Sequence, residues 1–382
     1  MKNVRIDIKP QIIDWAIEQI QDDKPHLAEI LLKWKIDKKP TFNQVLKISR
    51  ETNIPFGYFF LKEPPRENLE LLEYRTIDSL KLTKPSRNLI DTIRYMENIK
   101  DWMRDYLIGN DYSPRGFVGS LKNSDEAYQI AKRMRIDLGI APDWFKECKD
   151  DQDAFNKLRK KFENIGILVM MNGVVGSNTH RKLDLEEFRA FTLFDEYAPL
   201  IFINSRDSIN GKLFSLLHEG AHIWLGQSNL YNDDFLFPQG ANPKEKICNA
   251  VAAEILVPNR IFLEIWKEIR AENLETKIKQ TARFFKCGMS VIVRRAFDNR
   301  FIDYVNYKFL TEKAKAIFKS KQTKNKSGHF YYTLKSRIDN RFLMALDSSV
   351  NEGKTLHTEA YRLTNTNRTT FSKLIETVRG IT

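Results

Sequence analysis

The spacing of apolar and polar positions changes several times along the chain, and each change predicts a different kind of element. Apolar side chains recur every three or four residues over most of the sequence, which is the spacing of an amphipathic helix. This spacing covers 10–60, 86–163, 212–225, 245–257, 275–310 and 329–380. Short apolar or alternating runs, typical of β-strands, lie at 166–171, 187–194 and 199–204. We therefore expect an α+β protein that is mostly helical and has one small β-sheet.

Breaks in this pattern divide the chain into five predicted units. A Pro- and Glu-rich joint at 62–67 and a lysine-rich stretch at 319–327 are the clearest linkers. The predicted units are a helical N-terminal domain (1–66), a helical connector (67–160), a core that carries the sheet (161–274), a helix-turn-helix-like unit (275–318) and a basic helical unit (329–382).

The charge of the chain is concentrated in its last third. The protein has 382 residues and 42% of them are hydrophobic, which is enough for several folded units. Its net charge is +12, from 62 basic and 50 acidic residues. Residues 1–260 carry 38 of each sign, whereas 261–382 carry 24 basic and 12 acidic residues. The basic third is therefore a candidate contact for nucleic acid, although a solvated lysine-rich surface explains the charge equally well.

Several classes of protein are excluded by what the sequence lacks. Met1–Pro10 contains no apolar segment of the kind found in a signal peptide, and no run approaches the ~20 apolar residues of a membrane helix. The three cysteines, at 148, 248 and 287, are far apart and form no CxxC pair. We therefore expect a cytoplasmic protein with no membrane partner, no disulfide framework and no cysteine-based zinc cluster.

The strongest chemical signal is His218-Glu219-Gly220-Ala221-His222, an H-E-x-x-H motif inside a helical stretch. Residues four apart share one face of a helix, so both imidazoles can reach one metal ion. Glu219 lies beside that face, where it can take a proton from a water molecule without binding the metal. Zinc fits this ligand chemistry best, and we expect His218 and His222 as ligands and Glu219 as general base.

A catalytic zinc needs a third protein ligand, and four acidic residues downstream are candidates. Asp233 and Asp234 lie in a polar loop, where ligands are held loosely. Glu245 and Glu254 are nine residues apart in one predicted helix, so they point to opposite faces. Glu245 is favoured because Asn249 follows at i+4, able to hydrogen-bond a ligating histidine.

These segments resemble the ImmA/IrrE-type metallo-endopeptidases. The resemblance rests on Leu216–His222, on Glu245–Pro258 and on Glu187–Phe191, and it is strong over about 160–260. A weaker likeness, at 54–61 and 73–76, is to the segment that joins a Cro/repressor-type helix-turn-helix to such a peptidase.

The resemblance implies a gluzincin-like zinc peptidase core over 161–274, with His218, His222 and Glu245 as ligands and Glu219 as base. Family members typically cleave helix-turn-helix transcriptional repressors in stress or phage responses, so a protein substrate is the expected partner. The alternative is a non-catalytic DNA-binding regulator with a structural or sensory metal site. His180, in a Gly/Asn-rich turn, is a candidate for stabilising the oxyanion, and the run 187–204 could bind substrate as an added strand.

Both ends of the chain offer candidate DNA contacts. The N-terminal domain is a degenerate helix-turn-helix segment, because only one helix fits between residues 20 and 34, and Lys35, Lys38 and Lys39 could touch phosphates. Residues 277–302 have helix-turn-helix dimensions and place Arg294 and Arg295 on the second helix. Residues 355–374 repeat this pattern loosely. The N-terminal segment could instead be a vestigial packing domain or a dimerisation surface, and the C-terminal units could be small helical hairpins that cover the peptidase or recognise its protein target.

Overall fold

The structure, a computed structural model, describes residues 5–20, 25–36, 39–65, 85–122, 126–231, 243–321 and 330–380. These residues form sixteen α-helices, six β-strands and two short 3-10 helices, Phe56–Phe60 and Trp144–Glu147. The α-helices are α1 (Pro10–Glu18), α2 (Pro25–Ile36), α3 (Phe42–Thr52), α4 (Arg87–Gly109), α5 (Ala127–Leu138), α6 (Asp151–Ile165), α7 (Ile209–Trp224), α8 (Pro243–Leu256), α9 (Asn259–Glu268), α10 (Leu274–Phe285), α11 (Met289–Asp298), α12 (Tyr304–Lys321), α13 (Phe330–Arg337), α14 (Asn340–Asn351), α15 (His357–Thr364) and α16 (Arg368–Arg379). The fold is α+β and mostly helical, as predicted.

Four of the six strands form one mixed sheet. The strands are β1 (Leu168–Asn172), β2 (Val174–Val175), β3 (Asn178–Lys182), β4 (Ala190–Leu193), β5 (Leu200–Asn204) and β6 (Asn229–Tyr231). The order in the sheet is β1-β5-β4-β6, with β1 parallel to β5 and the other neighbours antiparallel. The remaining strands, β2 and β3, form a separate hairpin.

The sheet is buried on both faces, which explains why most positions in its strands are apolar. In β5, Ile201 and Ile203 belong to one core with α5–α12, whereas Leu200 and Phe202 belong to a second core with α4 and α13–α16. Side chains alternate between the faces of a strand, so a strand that is covered on both faces is apolar at most positions. The run 199–204 was recognised as a strand on this composition.

The helix that carries the H-E-x-x-H motif runs through the middle of the first core. Ser208 caps α7, its side chain accepting a hydrogen bond from the backbone N–H of Gly211. Every residue from Leu213 to Trp224 is buried, because the helix packs against β4, β5, α6 and α8. A helix covered on all sides provides a site shielded from water, and its polar side chains must find partners inside the protein.

The C-terminal helices cover the second face of the sheet. They pack with α4 on its second face, and two of their residues satisfy the outer edge of β1. The Asp339 carboxylate accepts a hydrogen bond from the backbone N–H of Val169 at 3.3 Å, and Arg341 donates to the carbonyl of Ile167 at 2.8 Å. Arg159 of α6 donates to the Val169 carbonyl at 3.0 Å. Side chains therefore close a strand edge that would otherwise be open.

The N-terminal helices have a small core of their own, formed by α1–α3 and the 3-10 helix that follows. Thr41 and Gln44 form a reciprocal capping box at the start of α3. The predicted boundaries of the five units stay a prediction.

Most differences from the predicted elements are at irregular or polar segments. The hairpin β2–β3 and strand β6 were missed, because 178–182 is polar and exposed and β6 has only three residues. Helix α12 continues to Lys321, so the lysine-rich stretch from residue 319 begins as helix, and residues 322–329 lie outside the described part. Among the described residues, no helix has the length and apolar character needed to cross a bilayer. The three cysteines are buried and form no disulfide.

We expect Gly220→Ala to destabilise the protein. A Cβ at this position would lie 2.5 Å from Cε1 of Phe162, inside the core between α6 and α7. Overpacking of this kind costs about 1–3 kcal/mol, which outweighs the gain of about 1 kcal/mol from the helix propensity of alanine. Urea denaturation followed by circular dichroism measures the change.

Gly109→Ala, at the open end of α4, is the matched control, since its Cβ would meet nothing within 4 Å. Gly109→Ala should leave the free energy of unfolding unchanged or slightly higher. A Gly220→Ala protein as stable as wild type would show that Phe162 does not confine this helix.

Candidate metal centre

Three side chains from two helices meet in the first core. His218 and His222 lie one turn apart on α7, and Glu245 lies in the first turn of α8. Their ligand atoms are all within 4.8 Å of one another. The Nε2 atoms of the two histidines are 3.2 Å apart, and the Glu245 carboxylate lies 3.1 Å from His218 Nε2 and 3.3 Å from His222 Nε2.

These separations fit a tetrahedral zinc site. With metal–ligand bonds of about 2.0–2.1 Å, tetrahedral ligand atoms lie about 3.3 Å apart. The donors are two imidazole nitrogens and one carboxylate oxygen, a set typical of catalytic zinc, in which the fourth position is left to water or substrate. The side chains therefore fit the ion in chemistry and in geometry.

His218 is oriented by α8. The Oδ1 atom of Asn249 accepts a hydrogen bond from Nδ1 of His218 at 2.9 Å. This bond places the imidazole proton on Nδ1 and leaves the lone pair of Nε2 directed toward Glu245 and His222. Asn249 therefore occupies the supporting position that its i+4 spacing from Glu245 predicts.

Glu219 is buried beside the cluster and does not belong to it. Its Oε2 accepts a hydrogen bond from the Thr192 hydroxyl of β4 at 2.6 Å, whereas its Oε1 is buried and has no hydrogen-bond partner among the described residues. Burial raises the pKa of the Glu219 carboxyl to about 8, against the lowering effects of His218 and Thr192. A cation at the cluster would add a third lowering effect on the pKa of Glu219. One oxygen is thus held in place while the other can accept a proton.

The charge of Glu245 depends on the histidines. Burial alone would raise the pKa of the Glu245 carboxyl, but His222 and His218 outweigh that effect and hold the pKa well below its usual range. Glu254 lies elsewhere: its carboxylate pairs with Arg295 of α11 at 2.6 Å. The structure therefore brings Glu245, and not Glu254, to the histidines, which agrees with their opposite positions around α8.

Two residues of the site were missed by the sequence interpretation. Thr192 supports Glu219 from β4, and Asn229 of β6 places its Nδ2 atom 2.9 Å from His222 Nε2. Thr192 is the one hydroxyl in an otherwise apolar four-residue strand, and this was an available signal. For Asn229 no such signal exists, because it follows a turn and precedes the undescribed residues 232–242, which include Asp233 and Asp234.

The structure does not bring His180 to the cluster. It lies on the exposed β3 strand of the separate hairpin, and its described hydrogen bond joins its backbone N–H to Asn178. The prediction that substrate binds as an added strand along residues 187–204 also needs revision. Both β4 and β5 already have neighbours on each side, so a fifth strand would have to pair with β6.

The predicted DNA contacts on α11 are used within the protein. Arg294 donates to Asp298 at 2.9 Å, and Arg295, whose side chain is 13% exposed, pairs with Glu254 and donates to the Val257 carbonyl. Residues 289–297 of this helix are all buried or partly buried. A recognition helix needs an exposed face to enter a groove, so the structure does not support a DNA contact here.

The N-terminal lysines also have partners of their own. Lys35 lies 2.6 Å from Asp14, and Lys39 lies 3.2 Å from Asp7, both as exposed ion pairs. Lys38 is outside the described residues. The looser pattern at 355–374 does form two helices, α15 and α16, joined by a turn with Asn365 in the left-handed conformation.

Comparison with known families finds a match over the part of the chain that holds this site. Residues 162–297 match the family model of the IrrE N-terminal-like domain, Peptidase_M78, so this part of the chain is similar to a metallopeptidase domain. The match extends beyond the predicted core end at 274 and leaves the N-terminal helices outside it. Residues 338–377 match a domain of unknown function, DUF8813. No curated protein and no solved structure matches the chain.

We expect Glu245→Ala to lose the metal ion and Glu254→Ala to lose stability. Glu245→Ala removes one of three ligand atoms and should abolish stoichiometric zinc. Glu254→Ala should keep zinc but lose about 3 kcal/mol of stability, because it leaves the guanidinium of Arg295 buried without its counter-charge. Inductively coupled plasma mass spectrometry and urea denaturation separate the two effects. If only Glu254→Ala lost zinc, the third ligand would be Glu254 and not Glu245.

Proposed function

We propose that the protein is a zinc endopeptidase that cleaves a regulatory protein, a helix-turn-helix transcriptional repressor. One observation carries the catalytic part of the proposal. A carboxyl group with one free oxygen, that of Glu219, lies beside a two-histidine, one-carboxylate cluster in the buried centre of the domain. A purely structural metal site has no need of a base beside its ligands.

The residues divide the work of peptide hydrolysis between them. His218, His222 and Glu245 would hold the zinc ion, which when bound lowers the pKa of a water molecule and polarises the peptide carbonyl. Glu219 Oε1 would accept a proton from the attacking water and then donate it to the leaving amine nitrogen. The hydrogen bond from Thr192 fixes Oε2 of Glu219 and leaves Oε1 available to accept a proton. Asn249 orients His218 through Nδ1, and the Asn229 amide lies 2.9 Å from His222 Nε2.

The choice of substrate rests on the family. A metallopeptidase domain implies a protein substrate, and the ImmA/IrrE-type enzymes that it resembles act on transcriptional repressors. The site supports this choice only in being shielded, as suits an enzyme that cuts a specific protein. The alternative of a DNA-binding regulator loses its strongest support with the burial of Arg295 and α11.

We expect Glu219→Gln to keep zinc and lose proteolysis. The amide retains the shape of the carboxyl and the contact with Thr192, but it cannot accept the proton, so kcat should fall at least a thousandfold. Zinc content and cleavage of co-expressed proteins are measured together. Proteins that co-purify with Glu219→Gln, identified by mass spectrometry, should include a repressor that is cleaved by the wild type. Retained cleavage by Glu219→Gln overturns the catalytic assignment.

We expect Thr192→Val to shift the pH dependence of cleavage. The Thr192 hydroxyl lowers the pKa of Glu219 by stabilising its ionised form, so removing it raises that pKa. A base with a raised pKa is protonated up to a higher pH, so the acidic limb of the kcat/KM profile should move upward by about one pH unit. Zinc content should not change.

Thr192→Ser is the matched control, because it keeps the hydroxyl and removes only a methyl group. Its acidic limb should stay close to that of the wild type. A lower kcat in Thr192→Val with an unmoved pH profile would mean that Thr192 serves packing and not the base.

A further inference from the structure

The side-chain amide of Asn229 is a fourth polar group at the metal cluster. Its Nδ2 atom lies 2.9 Å from His222 Nε2, slightly closer than the ligand atoms lie to one another, at 3.1 to 3.3 Å. The three ligands come from α7 and α8, whereas Asn229 belongs to β6. The sheet therefore brings an amide to the cluster from an element that supplies none of the ligands.

Strand pairing places this amide next to the group that supports the base. Asn229 of β6 pairs with Thr192 of β4, and partners across two strands carry their side chains on the same face of a sheet. The Thr192 hydroxyl donates to Glu219 at 2.6 Å, and the Asn229 amide reaches His222. One cross-strand pair thus contacts both the base and a ligand.

The chemistry of an amide suits a hydrogen-bond donor here better than a metal ligand. Protein ligands of zinc are thiolates, imidazoles and carboxylates, whereas amide oxygens are typical ligands of harder cations such as Ca²⁺. The amide nitrogen, and not its oxygen, faces His222 Nε2. A neutral imidazole nitrogen has one lone pair, so an N–H that faces it needs another acceptor once a cation takes that lone pair. The position left to water or substrate supplies such an acceptor.

Peptide hydrolysis creates negative charge on one oxygen atom. The water oxygen bonds to the carbonyl carbon, the π electron pair moves to the carbonyl oxygen, and Glu219 takes a proton from the water. The C–N bond then breaks, and its electron pair stays on the amine nitrogen, which takes the proton from Glu219. A preorganised donor at the charged oxygen stabilises the transition state, and losing one typically lowers kcat by about a hundred- to a thousandfold.

The other polar groups described around the cluster are engaged elsewhere. The Thr192 hydroxyl donates to Glu219, and Nδ1 of His218 donates to Asn249. His180, which the sequence suggested for this role, lies on the exposed β3 strand of the separate hairpin.

We propose that Asn229 donates a hydrogen bond from Nδ2 to the carbonyl oxygen of the peptide bond that is being cleaved. This role rests on the proposed endopeptidase function and adds a catalytic residue to it. Thr192 and Asn229, paired across β4 and β6, then serve the two ends of the reaction: Thr192 holds the base, and Asn229 stabilises the oxygen that becomes charged.

The first test measures binding and needs no substrate. Full-length, zinc-loaded protein is titrated with acetohydroxamate, a small anionic ligand of zinc, by isothermal titration calorimetry. Asn229→Ala should keep its zinc and bind acetohydroxamate about tenfold more weakly, because an anionic oxygen has lost its donor. Equal dissociation constants for Asn229→Ala and wild type, or no saturable binding by the wild type, overturn the proposal. Loss of zinc from Asn229→Ala also overturns it, since Asn229 would then be a ligand.

The second test measures cleavage of the protein that Glu219→Gln traps. In Asn229→Ala, kcat should fall about a hundredfold while KM changes less than threefold, because the donor acts on the transition state. Ser228→Ala is the matched control. It removes the acceptor of the Phe194 backbone N–H, a 3.0 Å bond that ties the chain entering β6 to the end of β4, and keeps the amide. Its kcat should stay within threefold of the wild type.

The outcomes separate this role from the function on which it rests. An equal loss of kcat in Ser228→Ala and Asn229→Ala would assign the effect to the position of β6 and overturn the proposal. A wild type that cleaves, together with an Asn229→Ala variant that cleaves as fast, ends the role of Asn229 alone. A zinc-loaded wild type that cleaves no protein ends the proposed function and this role with it.

Discussion

The placement of ionisable side chains inside an apolar core is the constraint around which this protein is built. Helix α7 is buried on every side from Leu213 to Trp224, yet it carries two imidazoles and a carboxyl group. Each buried polar group must find a partner or lose several kcal/mol. Those partners come from three other elements: Thr192 of β4, Asn229 of β6, and Glu245 with Asn249 of α8. The sheet and α8 are therefore fixed in position by the chemistry of α7 as well as by its apolar contacts.

This constraint also explains which parts of the site could be predicted from sequence. His218, Glu219 and His222 follow from helical spacing, and the phase of one helix separates Glu245 from Glu254. Thr192 and Asn229 could not be found in that way, because they reach the site through strand pairing and not through proximity in sequence. The order β5-β4-β6 is a tertiary property, and it places Thr192 opposite Asn229 in the sheet.

The fold shows the same division. Strands buried on both faces are recognisable because they contain an unbroken apolar run, such as 200–203, and the helices of the first core have clear periodicity. Residues 277–302 do contain two short consecutive helices, α10 and α11, and their helix-turn-helix character stays a prediction. Their use as a DNA-binding surface could not be judged from dimensions alone. Residues 289–297 of α11 are buried or partly buried, and Arg295 forms an internal ion pair with Glu254.

The hydrogen bonds at the outer edge of β1 limit where the chain can be divided. The peptidase family model ends at residue 297, but the backbone N–H of Val169 in β1 and the carbonyl of Ile167 just before it bond to Asp339 and Arg341, which lie beyond that limit. A fragment cut to the family boundary would leave these groups and the second apolar face of the sheet uncovered, and exposed strand edges recruit strands from other molecules. The stretch that matches the family model is therefore shorter than the unit that packs together in the fold.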